Sequence, residues 1–592
     1  MSYGWSGQRR AGFAGLRARH GRLAMVLSLS LVGCGSVGFA HADPPGAATD
    51  RQEQVLSDRD GIAVSEVSYL LPLPADAPPH PAACDRVGYL RYRSADGPAE
   101  STDADHIVVQ QQGLGGGAMN SDSVATNTVR SARSLGQKIE FWALARRSAC
   151  LDETTGFDYA LSTGNYLDAV DYYFNGLAID GQRFPGFKSN GDLAVLDYMG
   201  LERIVHDQFE VMRAALPDRA DRQRKFVCTG ISLGGLVTGF FSDWDFGVDG
   251  SGTDQCAAFA AQDSMVSSDP VAIQNTPLLH DITNAIVSPT NALVEAGFRA
   301  GVLPRTFGSL PVLGTRAFLL LRLAGLAAHL DPDGESQLLS HLPHDLEMDA
   351  TLNYAFAPTW SAFATNGGDG SGTMRDYHFT NTALLGVLID NNSTNFTLFQ
   401  QGVGVLDGGP VQVKSFPNPG ELTQLPLLGG FLRITAGNQT RVAPTDRTVL
   451  YRWRNYNDVQ GVGYTAPGHE VADIRDVARQ LASGAPYAYW ETYFPLRVVV
   501  DTGAGFGGAR TGDLADLKYH ALNRTKPNFV AYAGDSPIIT GSGVFFPAPA
   551  TAKVVQLPGY THIDTIGAAA VQNDGRPDYS GYELAAFINT LH

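Results

Sequence analysis

The chain has 592 residues, more than one hydrophobic core usually accommodates, so we expect two domains or one catalytic domain with a large insertion. Hydrophobic residues make up 44% and charged residues 17%, which argues against wholesale disorder and against a polytopic membrane protein. The formal net charge of −17 makes nucleic acid an unsuitable partner, because an acidic surface repels phosphate backbones.

Residues 1–42 have the pattern of an export signal. They begin with five arginines and no acidic residue, continue with an apolar stretch from Leu23 to Ala40, and end in a small-x-small cleavage site. A membrane anchor is the alternative. The segment 31–34 also resembles a bacterial lipobox, which would place a lipid on Cys34. We therefore expect a secreted or periplasmic protein, or a lipoprotein attached to a membrane through Cys34.

The pattern along the rest of the chain predicts an interrupted α/β fold. Residues 43–60 are polar, and we expect them to form a flexible leader. We expect residues 61–265 to form the first part of the core. Short apolar runs alternate with helical patterns there, including a helix over 201–216, which favours a mostly parallel central sheet flanked by helices. The runs predicted as strands begin at His106, Ile139, Phe226 and Ala257.

The alternation lapses over residues 266–489, which we interpret as a cap or lid inserted into the fold. Its apolar segment from Ala317 to Leu330 is too short to span a bilayer. That segment is either a lid helix facing an acyl substrate or ordinary cap core. The core resumes over residues 490–592, with strands predicted to begin at Leu496, Asn528 and Lys553 and a helix at the end of the chain.

Four cysteines remain once the signal is removed, so one or two disulfides are expected in an oxidising compartment. Cys84 with Cys150 is the preferred pair. Cys228 and Cys256 lie in apolar runs and could equally be small buried side chains. No Cys or His spacing indicates a metal site, and no cofactor is expected.

The motif Gly230-Ile231-Ser232-Leu233-Gly234 follows a predicted strand and precedes a predicted helix. Glycines two residues before and after a serine allow the sharp strand-to-helix turn that exposes a nucleophilic hydroxyl. The helix that follows directs its N-terminal N–H groups toward the same place. The pattern therefore predicts Ser232 as a nucleophile, with the Leu233 N–H as an oxyanion donor.

A serine nucleophile needs a base, and the base needs an acid that orients it. His562 is the expected base, because it lies in a loop after the last predicted strand and before the terminal helix. Asp535 is the preferred acid, since it follows a clear strand and precedes His562 by 27 residues. Asp263 and Asp501, each near the end of another predicted strand, are its rivals.

The oxyanion hole needs a second backbone donor. Residues 111–117, which contain four glycines, follow the early strand and allow a close approach to an ester. The alternatives are a flexible hairpin turn or a phosphate loop, and no Lys-Ser/Thr ending supports the latter. Leu114 is the expected donor through its N–H.

This order of a Gly-rich loop, Ser232, an acid and His562 resembles the α/β-hydrolase superfamily over about residues 60–265 and 490–592. The resemblance implies an α/β-hydrolase fold and an acyl hydrolase, such as an esterase or lipase; some members are peptidases. Gln112 departs from the family, which often has His before the first glycine. The Gly-Gly-Pro-Gly sequence of proline-type aminopeptidases is absent, which favours esters.

We therefore expect an exported serine hydrolase that cleaves carboxylic esters of a lipid, a small molecule or a polyester through an acyl-enzyme. A peptidase or amidase with the same triad is the first alternative. A binding protein that keeps the fold without the chemistry is the second. The expected partner is the ester substrate, with no nucleic acid.

Overall fold

The computed structural model describes residues 47–269, 297–298, 300–307, 314–396, 399–417, 439–484, 487–536 and 548–591. The predicted export signal with Cys34 and part of the predicted insertion lie outside these residues. Within the described ranges, no helix has both the length and the apolar character needed to cross a bilayer.

The described strands are β1 (Thr49–Arg59), β2 (Ile62–Leu70), β3 (Arg86–Ser94), β4 (His106–Gln111), β5 (Ile139–Leu144), β6 (Ala178–Ile179), β7 (Gln182–Arg183), β8 (Phe226–Ile231), β9 (Ala258–Gln262), β10 (His378–Phe379), β11 (Val405–Asp407), β12 (Val411–Val413), β13 (Val442–Pro444), β14 (Leu450–Arg454), β15 (Asn528–Ala533) and β16 (Lys553–Leu557). Nine of them form one large sheet in the order β1-β2-β3-β5-β4-β8-β9-β15-β16. The pairs from β1 to β5 in this order are antiparallel, and every pair from β5 to β16 is parallel.

The described helices are α1 (Asp122–Ser134), α2 (Thr155–Thr163), α3 (Tyr166–Val170), α4 (Leu201–Ala215), α5 (Arg219–Lys225), α6 (Leu233–Ser242), α7 (Thr315–Leu330), α8 (Leu338–His341), α9 (Leu346–Phe356), α10 (Trp360–Thr365), α11 (Asn381–Ile389), α12 (Ile474–Ala482), α13 (Leu496–Phe506), α14 (Asp564–Gly567) and α15 (Tyr579–Ile588). Among them, α1 and α15 pack on one face of the large sheet, and α4 and α6 pack on the other. The structure is therefore an α/β fold with a mostly parallel sheet, as the sequence predicts.

The central strands are buried on both faces, which explains why they read as continuous apolar runs. Every residue of β8 is buried. Val227 and Ile231 contribute to the hydrophobic core on one side, whereas Phe226 and Cys228 contribute to the core on the other. Because side chains alternate along a strand, one short segment joins two separate cores.

The strands predicted at His106, Ile139, Phe226, Ala257, Asn528 and Lys553 are confirmed, as are the helix over 201–216 and the terminal helix. The strand predicted at Leu496 is wrong, because that run forms helix α13. Pro495 precedes its first turn, and Arg497 pairs with Asp501 one turn later at 3.5 Å. Val498 is buried in the hydrophobic core, so packing of the helix outweighs the strand preference of the valines.

The flexible leader predicted for residues 43–60 is wrong over Thr49–Arg59, which form edge strand β1. This strand pairs along its length with β2. Its acidic side chains also bind arginines of β3, with Asp50 2.8 Å from Arg86 and Glu53 3.0 Å from Arg91. The segment is polar because it lies at the exposed edge of the sheet.

Two disulfides connect the four cysteines of the described chain. The predicted Cys84–Cys150 bond is confirmed. Cys228 and Cys256 form a second bond, so their interpretation as free buried thiols is wrong. The second bond joins β8 to the residues that lead into β9.

The apolar segment from Ala317 to Leu330 lies within helix α7, which is buried around nearly its whole circumference. It packs against α11 and α12 and belongs to the same hydrophobic core as one face of the sheet. This arrangement favours the core interpretation of the segment. Its Phe318 ring also reaches the Gly-rich loop, where a Cβ on Gly115 would lie 2.9 Å from the ring.

Candidate active site

Ser232 occupies the turn between β8 and α6 with φ 52° and ψ −124°. A positive φ is unfavourable for a residue with a side chain, so the surrounding contacts must hold the turn in place. The Ser232 N–H donates to the Gln262 carbonyl at 3.2 Å, and Ser264 Oγ donates to the Ser232 carbonyl at 2.5 Å. The strained turn predicted for a nucleophile is present.

The two glycines of the motif allow backbone segments to approach closely. A Cβ on Gly230 would lie 2.2 Å from the Gly234 carbonyl carbon, and one on Gly234 would lie 2.2 Å from the Gln111 carbonyl oxygen. Neither position has room for a side chain, because the obstructing atoms are backbone. The turn therefore packs directly against the end of β4.

Asp263 directly follows β9, the strand next to β8. Strands β8 and β9 are adjacent and parallel, with Ile231 in register with Gln262. The next residues along these strands are Ser232 and Asp263, so both leave the sheet at the same level of its carboxyl edge. Loops at that edge are where such sheets place their reactive groups.

His562 and Asp263 form a buried pair. His562 Nδ1 lies 2.5 Å from Asp263 Oδ2, and the exposed fractions of the two residues are 3% and 0%. Asp263 also accepts hydrogen bonds from Ser536 Oγ at 2.6 Å and the Ala533 N–H at 3.2 Å. Donors on both carboxylate oxygens fix the orientation of Asp263. Because Asp263 binds His562 Nδ1, Nε2 is the ring nitrogen available to a reactant.

The preference for Asp535 as the acid is a sequence prediction that this geometry corrects. Asp535 lies beyond the end of β15, one strand farther from Ser232 than Asp263, and its Oδ2 is 3.9 Å from His469 Nε2. Its neighbour Ser536 instead donates a hydrogen bond to Asp263 Oδ2.

Asp501, the other rival, lies on helix α13. Its carboxylate accepts the Leu201 N–H at 3.0 Å. It therefore caps the start of α4 and takes no part in the pair with His562.

The Gly-rich loop is held by a buried ion pair. Arg146 donates to the carbonyls of Gln112, Gly113 and Gly116 at 2.5–2.9 Å and also binds Glu491 at 2.9 Å. Burial raises the pKa of Glu491, and the adjacent Arg146 opposes that rise. Because the guanidinium holds three carbonyls on one side, it fixes the orientation of the peptide planes that carry the loop N–H groups.

The extended segment 488–491 also supports the Gly-rich loop. The Gly117 N–H donates to the Tyr489 carbonyl at 2.9 Å, and the Glu491 N–H donates to the Gly115 carbonyl at 2.8 Å. A Cβ on Gly117 would lie 2.1 Å from the Ala488 carbonyl oxygen. The loop is thus a supported structural element, which disfavours the flexible-hairpin interpretation.

Ser232 and His562 line one small cavity of about 50 Å³, enough for a few water-sized groups. The described residues that line it are Gly113, Leu114, Gly116, Asn120, Ile231, Ser232, Phe399, Trp490, His562 and Ile563. The predicted oxyanion residue Leu114 is among them. Leu233 is not, although its N–H is the first of helix α6 and has no acceptor within that helix.

The loop that carries His562 is tied to the inserted segment through Asp564. This buried carboxylate accepts from the Thr561 N–H and hydroxyl, both at 2.8 Å, and from the Gly402 N–H at 3.1 Å. Burial raises the pKa of Asp564 to about 6 and the Asp535 charge adds to the rise, whereas these hydrogen bonds oppose it. Protonation of Asp564 therefore changes the charge of the carboxylate that binds Thr561, the residue before His562.

Sequence reasoning missed Arg146, Glu491 and Asn120. Arg146 follows β5 at the sheet edge where reactive groups gather, and that position was an available signal. Glu491 lies some 345 residues away, and no local pattern connects the two. Within the described ranges, no group of three or more His, Cys, Asp or Glu side chains is arranged to bind a metal.

No family model matches the chain, and no curated protein matches it. Solved structures similar to it include an epoxide hydrolase from an endophytic Streptomyces, at 11% identity over 90% of this chain and 97% of that one, with a TM-score of 0.32. Juvenile hormone epoxide hydrolase from the silkworm Bombyx mori matches at 10% identity over 89% and 78%, with a TM-score of 0.29. Proline iminopeptidase from Mycobacterium smegmatis matches at 9% over 85% and 95%, with a TM-score of 0.24. At TM-scores below 0.5, these similarities carry no conclusion about the reaction.

Replacing Asp263 by Asn should slow the reaction of Ser232 with a fluorophosphonate by about 10³-fold, because the imidazole loses the carboxylate that sets its tautomer. The matched variant D535N should react within a few-fold of the wild-type rate. Labelling is followed by mass spectrometry of the Ser232 peptide, and circular dichroism verifies folding. A larger loss in D535N than in D263N would show that this assignment of the acid is wrong.

The buried Asp564 predicts a pH dependence of stability. Its folded-state pKa of about 6 exceeds the ordinary 3.8, so the folded protein holds this proton more tightly than the unfolded chain. Its contribution to stability is complete at low pH and is lost as pH rises through about 6. Relative to D564N, which cannot titrate here, the wild-type free energy of unfolding should fall by about 2 kcal/mol between pH 4 and pH 7. Urea unfolding of both proteins measures this change, and a pH-independent difference would contradict it.

Proposed function

We propose that the chain is an exported serine hydrolase of the α/β-hydrolase superfamily that cleaves carboxylic esters. The observation that carries this proposal is that Ser232 and His562 line the same cavity and that His562 Nδ1 binds the buried Asp263. The sheet order, the strained serine turn and the supported Gly-rich loop also favour it.

In the proposed reaction, Ser232 Oγ attacks the ester carbonyl carbon and gives its proton to His562 Nε2. Asp263 orients the imidazole and stabilises its positive charge. The N–H groups of Leu114 and Leu233 stabilise the oxyanion. When the C–O bond breaks, the imidazolium protonates the leaving alkoxide. Water, activated by His562, then hydrolyses the acyl-enzyme and restores Ser232.

The cavity walls favour esters over aminoacyl amides. Among the described lining residues, the side chains besides Ser232, His562 and Asn120 are apolar, and none is a carboxylate that would bind the α-ammonium of a peptide substrate. Phe399 and Trp490 form an apolar part of the cavity wall. Their rings pack edge-to-face, with 4.9 Å between the ring centroids. These contacts suit an acyl chain.

Export is part of the same proposal. Two disulfides in the described chain suit an oxidising compartment. The pattern of residues 1–42 suits a signal peptide, with the lipid on Cys34 as the alternative mode of attachment.

The purified protein should hydrolyse p-nitrophenyl butyrate and should prefer p-nitrophenyl esters to aminoacyl p-nitroanilides. The variant S232A should lose about 10⁴-fold or more in kcat. The matched variant S134A, which changes an exposed serine at the end of α1, should retain wild-type activity. Release of p-nitrophenol or p-nitroaniline is followed by absorbance. Normal ester turnover by S232A would contradict the mechanism, and faster cleavage of the anilides would contradict the ester preference.

A further inference from the structure

Three aromatic side chains pack together at the cavity that Ser232 and His562 line. Phe399 and Trp490 belong to the cavity wall, and Phe318 packs against both of them. The Phe318 ring centroid lies 5.6 Å from that of Phe399 and 5.5 Å from that of Trp490. All three side chains are buried. Each ring of the wall is therefore supported by two other rings, and we call the three residues the aromatic cluster.

The members of the aromatic cluster come from three separate parts of the chain, each held by its own contacts. The segment that contains Trp490 forms a β-bridge with the Gly-rich loop. Phe399 precedes Gln400, whose carbonyl accepts a hydrogen bond from Thr561 Oγ1 at 2.7 Å. Phe318 lies on the buried helix α7. Because close-packed interiors resist displacement of a side chain, the cluster forms a wall of fixed position.

The cavity beside this wall is small. Its volume is about 50 Å³, and about 10–15 Å³ holds one water-sized group, so about three to five such groups fit. An acetyl group contains three non-hydrogen atoms and a butyryl group five. Phe399 and Trp490 are the largest side chains on the described wall, so they are the ones that a longer chain would meet.

A closed wall beside Ser232 suits the acyl part of an ester better than the alcohol part. The acyl group stays bonded to Ser232 Oγ in the acyl-enzyme, whereas the alcohol leaves and water takes its place. The alcohol side of the site therefore needs a route to solvent, and the acyl side does not. The apolar rings also favour an alkyl chain.

We propose that Phe399 and Trp490 limit the acyl chain to about four carbons, so that the favoured substrates are short-chain carboxylic esters such as acetates and butyrates. This inference rests on the proposed ester hydrolysis at Ser232 and names its substrate class. A longer acyl chain has to displace a ring that the other members of the aromatic cluster hold, and overfilling a close-packed site is costly. One misfitting methylene in an apolar pocket changes kcat/KM by about 10- to 200-fold.

The p-nitrophenyl esters of acetic, butyric and hexanoic acid test the proposal, because they share one leaving group. The measured quantity is the ratio of kcat/KM for the hexanoate to that for the acetate. Dividing it by the corresponding ratio for hydroxide-catalysed hydrolysis removes the difference in intrinsic reactivity. For the wild-type protein, the corrected ratio should be about 0.1 or lower, and the butyrate should be cleaved at least as well as the hexanoate.

The variant F399A should raise the corrected ratio by about 10-fold or more, chiefly through faster turnover of the hexanoate, because loss of the ring extends the cavity. F399L, a smaller truncation, is the second variant, used if F399A fails to fold, and it should change the ratio in the same direction. The matched variant Y159A, which removes a partly exposed aromatic ring from α2, should keep the wild-type ratio.

Three results would overturn the inference. One is a wild-type corrected ratio of one or more, which requires no variant. Another is an equal slowing of all three esters in F399A and F399L, because it would make Phe399 a structural residue. The last is an F399A effect confined to the alcohol, measured as hexyl acetate against methyl acetate, because it would place the alcohol against the rings. Absence of turnover of every ester by wild-type protein would instead refute the proposed function, and this inference with it.

Discussion

The hydrogen bond between His562 and Asp263 is the interaction on which the proposed chemistry depends. It joins residues 299 positions apart, and both partners are almost entirely buried. The bond forms only if β9 lies between β8 and β15 and if the loop after β16 folds back over the sheet edge. The strand order of the nine-stranded sheet therefore determines where His562 and Asp263 come into contact.

The second constraint is the support of the Gly-rich loop. Glycines permit the loop to approach Ser232, but their flexibility would also let it move away. The Arg146–Glu491 ion pair limits movement of the Gly-rich loop, and Phe318 of helix α7 packs against the same loop. Breaking a buried ion pair on one side is costly, so this pair commits the loop to one conformation. Phe318, which lies in the chain between β9 and β15, thus contributes directly to the geometry of the proposed oxyanion site.

The sequence was sufficient to predict the sheet class, the sharp turn at Ser232 and the place of His562 in a loop after a strand, because these depend on local patterns of apolar runs and glycines. It was insufficient to choose the carboxylate that binds His562. Asp263 and Asp535 both follow strands that end at the same sheet edge, and only strand order and register place Asp263 beside Ser232. The helix at Leu496 was missed for a similar reason, since its valines favour a strand locally while long-range packing makes the helix.

A crystal structure of the protein after reaction with a fluorophosphonate would show whether Ser232, His562 and Asp263 form one catalytic group. We expect phosphorus bonded to Ser232 Oγ, a phosphonyl oxygen about 2.7–3.1 Å from the N–H groups of Leu114 and Leu233, and His562 Nδ1 still bound to Asp263. An adduct on another residue, or an intact adduct on Ser232 with His562 bound to Asp535 instead, would contradict it.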